Sequence, residues 1–233
     1  MADLNGKIAI VTGASKGVGA AVTRRFVEGG AKVVAGARSR DRLETLSREY
    51  PDQILPVTCD ITQHDQVKRL IDTGMNAFGR LDILVNNAGV GRFGKVQELT
   101  EEDWDEMMDI NLKGVFLTCK HAIPHLVEQK GHIVNVSSVA GTVAFPGGGG
   151  YCASKFGLMA LSDVLTQELK KNEVKVNTIC PGSIQTEFSD DPKSYALTAE
   201  QVAETIWTMV TAPAGVIYNQ VIMRPQVPPE FQK

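Results

Sequence analysis

The chain has 233 residues, of which 43% are hydrophobic and 22% charged, a balance typical of globular domains and far from that of a disordered chain. A formal charge of −3 offers no basic surface for nucleic acid or an anionic membrane, so neither is expected as a partner. No apolar run reaches the roughly 18–20 residues that cross a bilayer, and the first seven residues lack the basic segment and apolar core of a secretory leader; a cytoplasmic location is expected.

Residues 7–12 form a nearly continuous apolar run, as expected of a strand buried on both faces of a parallel sheet. A glycine-bearing turn follows. Val18, Val22 and Phe26 then give helical spacing over 18–28, which stops at Gly29-Gly30. Residues 32–37 make a second buried strand, and the rhythm repeats. It predicts a helix over 40–49, a strand over 53–58, a helix over 63–78 and a strand over 81–85. One long helix over 104–127 comes next, then a strand over 133–137, a helix over 152–170 and a strand over 174–179. A helix over 199–210 and a strand over 216–223 close the series. This alternation predicts an α/β fold in one domain, residues 1–233: a doubly wound, seven-stranded parallel sheet with right-handed crossovers and helices on both faces. Residues 145–150, with four consecutive glycines, read as a loop. Residues 183–197, polar and interrupted by Pro192, read as a mobile loop or short substrate lid, and 224–233, with three prolines, as an extended tail.

Gly13, Gly17 and Gly19 stand between the first strand and the first helix in G-x-x-x-G-x-G spacing. Glycines there permit a tight turn and let the backbone approach a pyrophosphate at the helix N-terminus; a tight connection alone is the plainer reading. Position 37, where an acidic residue would bind a ribose 2′-hydroxyl and select NAD, is alanine, followed by Arg38. Arg38 offers charge-assisted donors to a 2′-phosphate, and Lys16 adds a second cation. The competing readings are a solvated basic patch of Arg38, Arg40 and Arg42, and Asp41 as a ribose ligand.

Tyr151 and Lys155 lie four apart at a helix start, so they share a face. A lysine ammonium 4–5 Å away would lower a phenol's pKa by two to three of its ordinary 10 at an effective dielectric of ~20, toward the range of a useful general acid. Ser138 follows the fifth strand, at the carboxyl edge where α/β sheets bind ligands, and its hydroxyl can orient a carbonyl and donate to a developing oxyanion. Ser137 competes for that role, although its one-residue offset turns it to the other face.

The turn over 12–19, Asn86-Asn87-Ala88-Gly89, Ser138 and Tyr151-x-x-x-Lys155, in unbroken order from Lys7 to about Thr186, together resemble the short-chain dehydrogenase/reductase family. The resemblance implies a Rossmann fold and NAD(P)-dependent oxidoreductase chemistry, with no metal required. With Arg38 and Lys16 in place, the cofactor expected is NADPH/NADP and the reaction the reduction of a small-molecule ketone or aldehyde. It also implies cofactor contacts at Gly13, Ser15, Lys16, Gly17, Val18 and Gly19, and at Asp60 and Ile61 beside the adenine. Asn87, Ala88 and Gly89 would lie by the adenine ribose, Tyr151 and Lys155 by the nicotinamide ribose, and Pro181, Gly182, Ile184 and Thr186 around the nicotinamide and adjoining phosphates. Asp60 suits equally well a cap near Thr62. Asn111 matches the family's fourth catalytic position, supporting a water chain to the lysine; a structural kink is its other reading.

The resemblance further implies a homodimer or homotetramer through the helices over 104–127 and 152–170. The first 180 residues are similar to 3-oxoacyl-[acyl-carrier-protein] reductases. The short segment 187–197 and the ending Met223-Arg224-Pro225 are instead similar to small carbonyl and hydroxy-acid reductases, which weakens an acyl-carrier substrate. Beside Tyr151, the glycines 147–150 are expected to contribute little to substrate discrimination. His121 and His125 have zinc-compatible spacing, but Pro124 lies between them and no third ligand is evident. The four cysteines, without a CxxC pair, read as reduced thiols. Two rival functions remain. A non-catalytic NADP(H)-binding regulator of the same fold would be expected to lose Tyr, Lys or Ser, and an epimerase or dehydratase would need a larger C-terminal substrate domain.

Overall fold

The apolar runs become seven strands: β1 (Ile8–Thr12), β2 (Lys32–Ala37), β3 (Ile54–Thr58), β4 (Ile83–Asn86), β5 (His132–Val136), β6 (Lys175–Pro181) and β7 (Gln220–Met223). Among the described residues seven α-helices separate them: α1 (Gly17–Glu28), α2 (Arg40–Glu49), α3 (His64–Phe78), α4 (Glu101–Met108), α5 (Gly114–Gln129), α6 (Gly149–Leu169) and α7 (Ala199–Val210). This is a computed structural model, and it describes residues 3–188 and 193–228. All strands pair in parallel, in the order β3-β2-β1-β4-β5-β6-β7. The order reverses between β1 and β4, and the loops leaving their carboxyl ends diverge there to open a crevice.

Side chains alternate across each strand, so the inner strands feed two cores. Ala9, Val11, Val33, Ala35, Ile83, Val85 and Val134 join Val22 and Phe26 of α1 and Ile206 and Trp207 of α7 on one face. Ile10, Val34, Leu84 and Ile133 join Leu70 of α3, Leu126 of α5 and Leu158 of α6 on the other. Strands buried from both sides read as unbroken apolar runs, which is why the sequence shows them so plainly.

Three sequence expectations change. The long helix over 104–127 starts earlier, at Glu101, and is divided by a π-helical turn, Asp109–Lys113. The strand over 216–223 shortens to Gln220–Met223, because the Val216 amide is spent on a turn to the Pro213 carbonyl. Gly149 and Gly150, expected in a loop, form the first turn of α6. The segment 183–197 is closed at its base, where Ile184 bridges Leu197 and the Gln185 side chain donates to the Ser194 and Ala196 carbonyls. Its Pro192 lies outside the described residues, as does the end of the tail beyond Pro228. No helix among the described residues is long and apolar enough to cross a membrane.

Candidate active site

The glycine turn sits at the reversal point. Gly17 has φ +53°, which favours glycine, and a Cβ on Gly19 would collide with the Gly13 carbonyl and the Asn87 amide. Lys16 precedes α1 without a side-chain cap, leaving the first-turn N–H groups of α1, including those of Val18 and Gly19, for an anion. Asn87 explains its own presence: its Nδ2 donates to the Thr12 and Gly13 carbonyls at 2.9 and 3.2 Å, while Thr12 Oγ1 accepts from the Asn87 and Ala88 amides. Asn86 points the other way, donating to Asn135 Oδ1 and accepting from Thr118 Oγ1. The paired asparagines therefore fasten β4 to both its neighbours. The Thr186 methyl lies 3.3 Å from a Cβ built on Gly17, over the rim of the turn.

Beyond the turn, at the end of β2, Arg38 stands exposed, and a groove lined by Ser15, Asp41 and Arg42 runs between α1 and α2. Lys16 Nζ and Arg42 Nη1 converge on a single carboxylate, that of Glu187, at 3.0 and 2.9 Å. Hydrogen bonds from Arg42 and Lys16 hold the Glu187 carboxyl below its usual range. Asp60 accepts from both the amide and the hydroxyl of Thr62, at 3.0 and 2.8 Å. Ile61 is buried against Gly114 at the start of α5.

The carboxyl end of β5 brings the other group together. Ser138 follows the strand, its Oγ accepting from the Ala140 amide at 3.1 Å and donating toward the Pro181 carbonyl at 3.5 Å. Ser137 is fully enclosed, packed toward Gly141 on the α6 side. Tyr151 and Lys155 lie on one face of α6, with Lys155 Nζ 5.8 Å from the centre of the phenol ring. That ammonium donates to the Val136 carbonyl at 3.0 Å, and burial pushes its pKa down to about 8. The expected lowering of the tyrosine is not what the fold produces. Burial raises the Tyr151 phenol above its ordinary value, and a hydrogen bond with Ser138 only partly opposes this.

Asn111 lies in the π-helical turn, with no exposed surface. Its Oδ1 accepts from the Val90 amide at 2.8 Å, and its Nδ2 donates to the Val90 carbonyl at 2.8 Å and to Ser154 Oγ at 3.0 Å. Asn111 Oδ1 and Lys155 Nζ both border Gly89, at 3.3 and 3.6 Å from a Cβ built there. The kink and the site thus belong to one feature. At the end of β6, the Gly182 amide donates to the Met223 carbonyl at 2.7 Å, closing the far side of the crevice. His121 faces His64, with their Nε2 atoms 3.1 Å apart, rather than His125.

Some residues at the crevice carry no motif and were not anticipated. Phe93 and Phe188 pack on Tyr151 and Phe145 backs Phe93, from three separate loops, and Glu187 reaches two cations 171 and 145 positions away. Large apolar residues in polar or glycine-rich loops are the one signal in the sequence that marks the phenylalanines.

The family model for short chain dehydrogenase matches residues 7–195. The chain belongs to the short-chain dehydrogenase family. Among members of that family, the 3-oxoacyl-[acyl-carrier-protein] reductase of Thermotoga maritima is 35% identical over 94% of this chain and 96% of that protein. Two solved structures each cover 95% of this chain and 98% of their own. An alcohol dehydrogenase from the archaeon Thermococcus sibiricus, complexed with 5-hydroxy-NADP, has a TM-score of 0.90 at 30% identity. A 3-ketoacyl-(acyl-carrier-protein) reductase from Brucella melitensis, complexed with NADH, has a TM-score of 0.91 at 28% identity. The protein is thus a short-chain oxidoreductase with a Rossmann-like fold. Its relatives hold both kinds of nicotinamide cofactor, so the choice between them rests on its own residues.

Proposed function

We propose that this short-chain dehydrogenase is an NADPH-dependent reductase that converts a ketone or aldehyde carbonyl to an alcohol, reversibly. The observation that carries the reading is the convergence of Ser138 and the buried Tyr151 and Lys155 at the carboxyl edge of β5, beside an uncapped glycine turn.

The residues fit a dinucleotide. The uncapped amides of α1 suit a pyrophosphate. Lys16 and Arg42 already meet on one carboxylate, and a 2′-phosphate presents the same kind of acceptor; Arg38 adds a third charge, and alanine at 37 removes the acid that would oppose it. In this reading Gly13, Ser15, Lys16, Gly17, Val18 and Gly19 cradle the phosphates, Asp60, Ile61, Asn87, Ala88 and Gly89 border the adenosine, and Pro181, Gly182, Ile184 and Thr186 border the nicotinamide end.

A bound NADPH supplies a hydride for the carbonyl carbon. Tyr151 holds its proton at neutral pH, as phenols do, burial raises its pKa further, and it gives that proton to the carbonyl oxygen; positioned general acids contribute about 10²–10⁴-fold. The Ser138 hydroxyl donates to the same oxygen. Lys155, with a pKa of about 8, remains mostly cationic at pH 7. At a separation of ~6 Å and an effective dielectric of ~20, it offsets roughly 3 kcal/mol of the phenolate's charge. Asn111 is a positioning residue, which fixes the loop at Val90 beside Gly89 and Lys155.

The same reading makes the chain one cytoplasmic domain with a short lid over 183–197. It assembles as a homodimer or homotetramer through α5 and α6, whose Phe116, Phe156 and Val164 are exposed. NADPH consumption against a panel of ketones, aldehydes and a 3-oxoacyl thioester, with Tyr151→Phe beside wild type, tests the function. Turnover lost in the variant while NADPH still binds is the expected result. Wild-type protein that binds NADPH and reduces nothing in the panel would contradict it.

A further inference from the structure

Two phenylalanines lie against Tyr151, and a third backs one of them. Phe93 lies edge-on to the phenol, with centroids 5.4 Å apart at 67°. Phe188 lies on it at 5.9 Å and 52°, and Phe145 backs Phe93 at 6.2 Å. The arrangement is built in by two glycines. A Cβ on Gly91 would stand 2.9 Å from the tips of both Phe93 and Phe188, so these rings converge there. A Cβ on Gly148 would stand 2.6 Å from the Phe145 ring. The glycine run beside Tyr151 therefore does shape the pocket, by letting an aromatic ring lie on the backbone. A parallel bridge between Gly94 and Gly148 holds the two loops together, with the Gly94 amide donating to the Gly147 carbonyl at 2.9 Å.

These rings remain 57%, 44% and 45% exposed for Phe93, Phe145 and Phe188, whereas Tyr151 is only 8% exposed. An apolar surface is thus left open around a buried acid. The two cations that flank Phe93 in the chain are already engaged. Arg92 is held by Asp103 at 3.3 Å and Glu106 at 2.8 Å, and Lys95 by Glu98 at 3.6 Å. The first turn of α4, packed on the start of α6, carries Glu101, Glu102 and Asp103. A substrate carboxylate on this side would lose water against phenyl rings, and an acidic carrier protein would meet more carboxylates.

We propose that the substrate is an uncharged ketone bearing an aryl or comparably bulky apolar group, seated among Phe93, Phe145 and Phe188. The inference rests on the reductase reading above. The carbonyl carbon gains a hydride from NADPH as the C=O π bond breaks, and the oxygen gains the Tyr151 proton. The products are a secondary alcohol and NADP⁺, and the phenolate recovers a proton from solvent.

The test compares acetophenone, acetone and acetoacetate at saturating NADPH in wild type, Phe93→Ala, Phe93→Leu and Phe145→Ala. Calorimetric titration of acetophenone into NADPH-loaded Tyr151→Phe reads binding without turnover. The expected kcat/KM for acetophenone exceeds that for either other ketone by about tenfold or more. Each alanine variant should lower the acetophenone-to-acetone ratio at least about fivefold, and Phe93→Leu should restore part of it. Loss of acetophenone binding in Tyr151→Phe/Phe93→Ala, with an unchanged melting temperature, supports the pocket even if no ketone is reduced; in that case the reductase reading alone fails. Preference for acetoacetate, equal losses on all three ketones, or no acetophenone binding to Tyr151→Phe would overturn the inference.

Discussion

At the β5 edge of the crevice, Tyr151 and Lys155 keep 8% and 4% of their surface exposed and Asn111 none. At the β2 edge the side chains of Lys16, Arg42 and Glu187 keep 52%, 49% and 59%. Burial at the first edge moves proton affinities in opposite directions, up for the phenol and down for the ammonium, and hydrogen bonds to backbone carbonyls fix the geometry. Water at the second edge screens the ion pairs, each worth about 0–1 kcal/mol. The part proposed to transfer the proton is buried and held by hydrogen bonds. The part proposed to choose the cofactor is a sum of exposed charges, which one substitution can rebalance.

The strongest way to break that contrast is at the buried edge. Tyr151→Phe keeps the ring and its contacts with Phe93 and Phe188 and removes the proton. It should lower kcat about 10³-fold while leaving NADPH affinity, measured by fluorescence titration, within about threefold. A fully active variant would remove Tyr151 from the chemistry. Next in size is the pH response. In the proposed reaction Lys155 acts as a cation, and burial pushes its pKa down to about 8, so the charge is present below that value and is lost as pH rises through it. A pH–rate profile for reduction should be level near pH 6–7 and fall about tenfold per unit above about 8. A break only near 10 would mean that the ammonium is not buried as described.

Much of this contrast was legible in the sequence, and the exceptions have physical causes. Residues 32–37, 40–49 and 199–210 form their elements with the bounds that hydrophobic period gives them, because strands with two buried faces and helices with one both write their pattern locally. Ser138, Tyr151 and Lys155 were readable because a strand end and a helix face fix where they point. The π-helical turn at Asp109–Lys113 was not, since it changes the hydrogen-bond register without changing the apolar pattern. Gly149 and Gly150 are poor helix formers, but they enter α6 where Met107, Leu99 and Trp104 leave no room for a side chain on Gly150. Glu187, Phe93, Phe145 and Phe188 meet their partners through tertiary contacts between loops, which no local period records.

Two smaller effects sharpen the picture at the exposed edge. Arg38→Asp should shift the ratio of NADPH to NADH dissociation constants toward NADH by about tenfold or more, the loss of one charge-assisted contact plus an added repulsion. An unchanged ratio would remove Arg38 from the cofactor site. Glu187→Gln releases Lys16 and Arg42 from a competing carboxylate. It should tighten NADPH about two- to fivefold and leave NADH unmoved, in keeping with screened pairs. Weaker NADPH binding would mean that Glu187 supports the cofactor rather than standing in its place.

In the proposed reaction the chain brings a nicotinamide hydride and the Tyr151 proton to one carbonyl. The most direct test is to reduce acetophenone with NADPH deuterated at C4 of the nicotinamide ring and to locate the label in the alcohol by NMR. Deuterium is expected at the carbinol carbon from wild type, with about 10³-fold less labelled alcohol from Tyr151→Phe. Alcohol formed without deuterium at that carbon, or labelled alcohol formed equally well by the variant, would contradict it.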